Sequence, residues 1–331
     1  MALEILDHYD AILADLDGTV FEGGRPVVGA ADGLANRRVM YVTNNASRAP
    51  QSVAAHLTSL GFNATADQVL TSAEAACSLG RSLVNKENAT AFVIGADSFK
   101  DVARAAGFTV VDSADDHPDV VFQGHTPDNT WALLSEGALA IRRGAKYIAS
   151  NLDTTLPSER GLMVGNGSMV AAVVSATGVE PVSAGKPGPE MFRVAAKRLG
   201  STKPLVVGDR LDTDIAGGIA AGMDTLCTVT GVSGHRELLS TKFRPTYIAG
   251  NMRDHLGGWQ AHYGDYSGQS ATIYVSSGET SADVQLMAAE AVAAAAPLVW
   301  RTVDEGVAIE HIHIAATNGD DAAHRAVGAW R

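Results

Sequence analysis

Short apolar runs recur along the chain, each stopping on polar residues and each followed by a segment with helical spacing. Residues 9–14 run into Asp15, and residues 39–43 run into Asn44 and Asn45. A run of this length without polar alternation predicts a strand buried on both faces, the kind a parallel sheet uses. Helical spacing over 29–36 and over 49–60, the second closed by Gly61, completes a strand–helix–strand pattern. The same order returns later, with a helix over 189–199 between Pro189 and Gly200, a strand over 205–207, a helix over 213–221 and a strand over 225–229. Residues 1–78 and 182–255 therefore read as two parts of one doubly wound parallel sheet, a Rossmann-like α/β core. Between them, strands over 91–94, 120–122 and 147–149 alternate with helices over 98–106, 128–142 and 168–177. This predicts an inserted α/β domain over 79–181, with Trp131 packed on its helix.

At 331 residues the chain exceeds what one core usually serves, so more than one domain is expected. Residues 262–331 carry nine acidic and three basic side chains, half of the net charge of −12, and are read as a small α+β unit. That net charge repels nucleic acid and anionic membrane surfaces, and no Lys/Arg run offsets it. An anionic substrate would be repelled too, so its site must supply positive charge locally, from a metal ion or a focused Lys. Cys77 and Cys227 lie far apart and read as reduced core thiols. Residues 1–17 mix Glu4, Asp7, Asp10 and Asp15 with apolar residues and do not read as a leader. The Ala-rich stretch 288–300, with Glu290 inside it and Pro297 breaking it, reads as too short and interrupted to span a bilayer. A cytoplasmic protein without membrane insertion is expected.

Candidate chemistry sits where strands end. Asp15 and Asp17 follow the first strand, where open α/β sheets bind ligands, and Gly18 turns the chain away. Two carboxylates at this spacing suit a cation: one can attack phosphorus while touching Mg²⁺, and the other can protonate the leaving oxygen and then activate water. An Asp-Gly turn capping a strand accounts for this segment equally well. Thr43 and Asn44 offer a hydroxyl and an amide to phosphate oxygens, Lys186 precedes a helix as a point charge, and Asp209, Asp212 and Asp214 crowd another strand end. Asp212 is expected to cap the following helix. Each signal has a bland explanation by itself. Four in this order at strand ends favour the functional reading.

The series Asp-x-Asp-Gly-Thr at 15–19, Thr-Asn-Asn at 43–45, Gly-Lys-Pro at 185–187 and Gly-Asp-x-x-x-Thr-Asp at 208–214 resembles the haloacid dehalogenase superfamily. The likeness covers residues 8–255 and is to the nitrophenylphosphatase-like branch, which carries a large α/β cap between the second and third motifs. The resemblance implies a phosphatase with Asp15 as nucleophile, Asp17 as general acid/base, Thr43 and Asn44 as phosphate binders and Lys186 as charge stabiliser. It further implies Mg²⁺ held by Asp15, the Asp17 backbone carbonyl and Asp209, with Asp214 orienting the metal shell or ligating through water. Segments 151–157 and 164–168 resemble cap segments of this branch. The intact Asp-x-Asp pair does not imply a dehalogenase.

Residues 309–315 with Asn318, Ala322, Ala323, His324, Gly328 and Trp330 are similar to the last strand and helix of Gcn5-related acetyltransferases. The pyrophosphate-cradling glycine loop of that family is absent, so a packing or dimerisation appendage is preferred. A capped phosphatase with such a tail is similar to actinobacterial glycerol 3-phosphate phosphatases, which implies that substrate. Hydrolysis of sugar phosphates or phosphoglycolate, phosphotransfer, and a tail that senses acyl-CoA are the alternatives. A homo-oligomer is left open. His311 and His313, on a predicted strand, and His117 and His125, in loops, are read as structural or surface residues.

Overall fold

The computed structural model describes residues 4–158 and 160–331. The chain forms two compact units, one comprising residues up to Val39 together with Ser201–Arg331, the other Met40–Gly200. Of the stretch read as not a leader, residues 1–3 lie outside the described residues.

In the first unit, strands Ala11–Asp15, Pro204–Gly208, Asp224–Thr228 and Tyr247–Ala249 lie side by side, all parallel. Ala11–Ala14 are fully buried, which is why the run shows no alternation. The helix expected over 213–221 is divided: Leu211–Ile215 forms a π-turn, and an α-helix follows over Ala216–Ala221. The wider turn brings Asp214 back beside Gly208, where any Cβ would overlap its side chain.

The acidic tail belongs to this same unit. Strands Gln260–Ser267 and Ser270–Ser276 pair antiparallel, Ile312–Ala316 joins parallel to the second, and helices Val284–Asp304 and Asp321–Gly328 accompany them. Ile273, Val275, Met287 and Val299 share one apolar core with Leu211, Cys227 and Leu238. The stretch around 288–300 is longer than its sequence suggested. Its helix has 21 residues and continues through Pro297, so it has the length and composition of a membrane span, while 61% of its most apolar window is buried inside the protein.

In the second unit, five parallel strands run in the order Val182–Ser183, Lys146–Ala149, Val120–Gln123, Thr90–Ile94 and Thr109–Val111. Val39–Thr43, all but its first residue in this unit, pairs parallel with Val69–Thr71. The helix expected from residue 128 begins at Trp131, capped by the Thr130 hydroxyl. Trp131 is 84% exposed rather than packed on the helix, because at the first helical position its side chain lies outside the buried stripe of Gly137, Ala140 and Ile141. The hairpin of Thr155–Ser158 and Gly161–Val164 has no counterpart in the expected elements.

Candidate active site

Asp15 closes its strand half-buried, and the chain folds back at once. The Leu16 carbonyl accepts from the N–H groups of Val20 (2.9 Å) and Phe21 (3.0 Å), and the Gly18 N–H donates to the Phe21 carbonyl (2.8 Å). This tight turn buries Thr19 and leaves Asp17 exposed. Gly18 takes φ +87°, and a Cβ there would lie 2.6 Å from Asp209 Oδ2, so both backbone and space require glycine.

Asp209, fully buried, follows the strand Pro204–Gly208. Thr19 Oγ1 donates to its Oδ1 (3.2 Å) and the Val232 N–H donates to its Oδ2 (2.6 Å). Asp214 is equally buried and accepts from the Arg210 N–H (3.2 Å). Carboxylate oxygens of Asp15, Asp209 and Asp214 lie within 4.8 Å of one another. Like charges this close repel, and burial removes the water that would screen them. A hard divalent cation resolves both costs, and Mg²⁺ takes oxygen ligands, a few carboxylates completed by waters. Asp212 stands apart: it is exposed and pairs with the Arg210 guanidinium (3.0 and 3.2 Å), so it is not the helix cap expected of it. The Gly231–Ser233 loop was not singled out from sequence. Its one signal is the Thr-Gly-Val-Ser-Gly cluster after a buried strand.

The second unit brings Thr43, Asn44 and Lys186 together. Thr43 is buried, and its Oγ1 accepts from the Asn45 N–H (3.1 Å). Asn44 clasps Lys186 from both sides: its Oδ1 accepts from the Lys186 N–H (2.9 Å) and its Nδ2 donates to the Lys186 carbonyl (3.1 Å). Lys186 is 4% exposed, and its Nζ donates to the Val42 carbonyl (3.3 Å). Asn151 Nδ2 and Ser72 Oγ donate to the Asn44 carbonyl (2.8 and 2.6 Å), and Asn44 Nδ2 reaches Asp153 Oδ2 (3.2 Å). Asn166 Nδ2 in turn holds the Asn151 carbonyl (2.7 Å). The segments around 151 and 166 thus brace the Asn44 main chain, from which the side-chain amide projects. Of segment 151–157, the Pro157 side chain lies outside the described residues. His117, His311 and His313 are exposed, and Cys77 and Cys227 are buried thiols.

Family models described as haloacid dehalogenase-like hydrolase and HAD-hydrolase-like match residues 12–109 and 183–255. The chain is 45% identical over 253 residues to D-glycerol 3-phosphate phosphatase of Mycobacterium tuberculosis, covering 75% of this chain and 71% of that one. It is 38% identical to an acid sugar phosphatase of Staphylococcus epidermidis, covering 73% and 95%. Among solved structures, a glycerol phosphate phosphatase from M. tuberculosis in complex with magnesium aligns at TM-score 0.82 and 39% identity over 98% of both chains.

Proposed function

The chain belongs to the haloacid dehalogenase-like hydrolase family, and from that premise we propose that it is a Mg²⁺-dependent phosphatase of small phosphomonoesters, with glycerol 3-phosphate as substrate. The observation that carries this reading is the convergence of Asp15, Asp209 and Asp214 oxygens within 4.8 Å, beside a solvent-exposed Asp17. Asp15, Asp209 and the Asp17 backbone carbonyl would hold the ion, with Asp214 as a further ligand or as the group that orients the shell. Bound there, Mg²⁺ neutralises charge on the phosphate and on the carboxylates around it.

Asp15 attacks phosphorus in line, forming an aspartyl-phosphate as the P–O bond to the alcohol breaks, and the Asp17 carboxyl gives its proton to the leaving oxygen. Asp17, now ionised, takes a proton from water as that water attacks phosphorus. The P–O bond to Asp15 breaks, and inorganic phosphate leaves. The Thr43 hydroxyl and the Asn44 backbone N–H offer neutral donors to the phosphate, the Asn44 side chain being engaged by Lys186 and Asp153, and the Lys186 ammonium offsets its charge. The M. tuberculosis relative at 45% identity supports the three-carbon substrate. The two buried thiols suit a cytoplasmic location.

Asp15→Asn preserves size and removes the attacking charge, so a folded Asp15→Asn protein should release phosphate from glycerol 3-phosphate at background rate. Appreciable turnover would sink the covalent mechanism. Across a panel, glycerol 3-phosphate should give a higher kcat/KM than phosphoglycolate, hexose phosphates or a phosphopeptide. Parity with any of these would overturn the substrate assignment.

A further inference from the structure

The loop that grips Asp209 is itself gripped by residues far along the chain. Three backbone groups of this loop fix the aspartate: the Val232 N–H on Oδ2 (2.6 Å), the Ser233 N–H on the Asp209 carbonyl (3.1 Å), and Gly231, whose missing Cβ leaves the carboxylate its room. Ser233 Oγ also accepts from the Leu211 N–H (3.1 Å), tying the loop to the turn that carries Asp214. On the loop's other side, the Arg331 guanidinium donates to the Gly231 carbonyl (3.0 Å), and the Arg331 carbonyl accepts from the Arg236 N–H (3.1 Å). Arg331 therefore bridges Gly231 of the loop and the first turn of the helix His235–Ser240 that follows it. Gly234 lies so close that a Cβ there would sit 2.6 Å from the Arg331 carbonyl. Trp330 stacks on His235 with ring planes 9° apart and donates through Nε1 to the Ala288 carbonyl (3.1 Å) on the long buried helix.

We propose that Arg331, anchored through Trp330, is a positioning residue for the metal: it holds the Gly231–Ser233 loop so that Asp209 presents its carboxylate to the ion. This rests on Asp209 being a Mg²⁺ ligand. The Val232 N–H is bonded directly to the ligand, where such partners commonly contribute tenfold or more to affinity by fixing the ligand's orientation before the ion arrives, and Arg331 acts through the loop that carries it. A role in stability alone predicts a lower melting temperature with unchanged metal affinity.

Calorimetric titration of the full chain with Mg²⁺ separates the two. Arg331→Ala should weaken Mg²⁺ binding about tenfold and shift the Mg²⁺ activation curve by the same factor, with kcat largely restored at saturating metal. Arg331→Lys, which keeps a donor for the Gly231 carbonyl, should recover part of the loss. Gly234→Ala, which displaces Arg331 without removing it, should act in the same direction and serves where Arg331→Ala does not fold. Tyr263→Phe, which loses a hydrogen bond to Thr302 on the same long helix (3.0 Å), is the control for stability and should leave Mg²⁺ affinity unchanged. Wild-type affinity in both Arg331→Ala and Gly234→Ala overturns the proposal while Asp209→Ala still abolishes binding. Wild-type affinity in Asp209→Ala overturns the metal-ligand reading and the proposal with it.

Discussion

His235 is a histidine buried without a reason in its hydrogen bonding. It is 1% exposed, and neither ring nitrogen has a hydrogen-bond partner among the described residues. Burial, reinforced by the nearby Arg331 cation, pushes its pKa down to about 4 from the ordinary 6.5. Above 6.5 the ring is neutral in both folded and unfolded chains and its ionisation contributes nothing. Between 6.5 and about 4 the unfolded chain binds a proton that the folded one refuses, so stability falls as pH falls and levels off below that range. At pH 5 the penalty is about 2 kcal/mol. His235→Phe keeps a ring against Trp330 and removes both orphaned nitrogens, so it should be neutral or stabilising at pH 7 and should flatten the pH dependence. Urea denaturation at pH 7 and pH 5 measures this directly. Equal losses in wild type and variant between the two values would refute the assignment.

At the scale of elements, the turn at residues 150–153 acts as a brace for Asn44. Asn151 donates to the Asn44 carbonyl (2.8 Å), accepts from the Asp153 N–H through Oδ1 (3.2 Å), and is held by Asn166 at the start of its helix (2.7 Å). Asn151 and Asn166 are both buried, so truncating either strands a polar partner at about 1–3 kcal/mol. Asn151→Ala and Asn166→Ala should each lower stability by that amount. Asn151→Ala should also raise KM severalfold, because the amide that clasps Lys186 loses its support. Coupling is the sharper measure: a double-mutant cycle between Asn44→Ala and Asn151→Ala should be non-additive by about 0.5 kcal/mol or more in kcat/KM. Additivity would show that the brace is not transmitted.

This element also marks where sequence reading stops. Asp15, Asp209 and Asp214 were legible because motifs at the ends of apolar runs carry their own position: the strand fixes where the side chain emerges. Lys186 and Asn44 were legible for the same reason. That Asn44 holds both sides of the Lys186 peptide was not, since 142 residues separate them and only the folded backbone sets that distance. Trp131 and Asp212 were misjudged because helical spacing does not tell which way the first residue of a helix faces, or whether a nearby Arg will claim an aspartate before a helix does. The helix through Pro297 was misjudged because tertiary packing outweighs the local cost of a missing N–H.

At the scale of the whole molecule, Asp15, Asp209 and Asp214 belong to the first unit, and Asn44 and Lys186 to the second. The tail is part of the first. Leu211, Ile215, Cys227, Leu238 and Leu239 are each nearly or fully buried in a core that includes Ile273, Val275, Met287, Val292 and Val299. Glu290 on the same helix accepts from His255 Nδ1 (3.0 Å) and the Leu256 N–H (2.9 Å), so the chain leading into the tail is pinned as well. Removing residues 260–331 would return at least those five apolar side chains to water. At about 2 kcal/mol each, the loss is on the order of 10 kcal/mol, comparable to the entire stability of a typical domain. An independent appendage would behave otherwise: its removal would leave a chain that melts cooperatively near the full-length temperature. Packing predicts instead that a chain ending near residue 259 binds a hydrophobic dye, elutes as aggregate on size exclusion and shows no cooperative melt. A soluble, cooperatively folding truncation that still hydrolyses glycerol 3-phosphate would show that the shared core contributes little, and that Asp209 keeps its place without the tail.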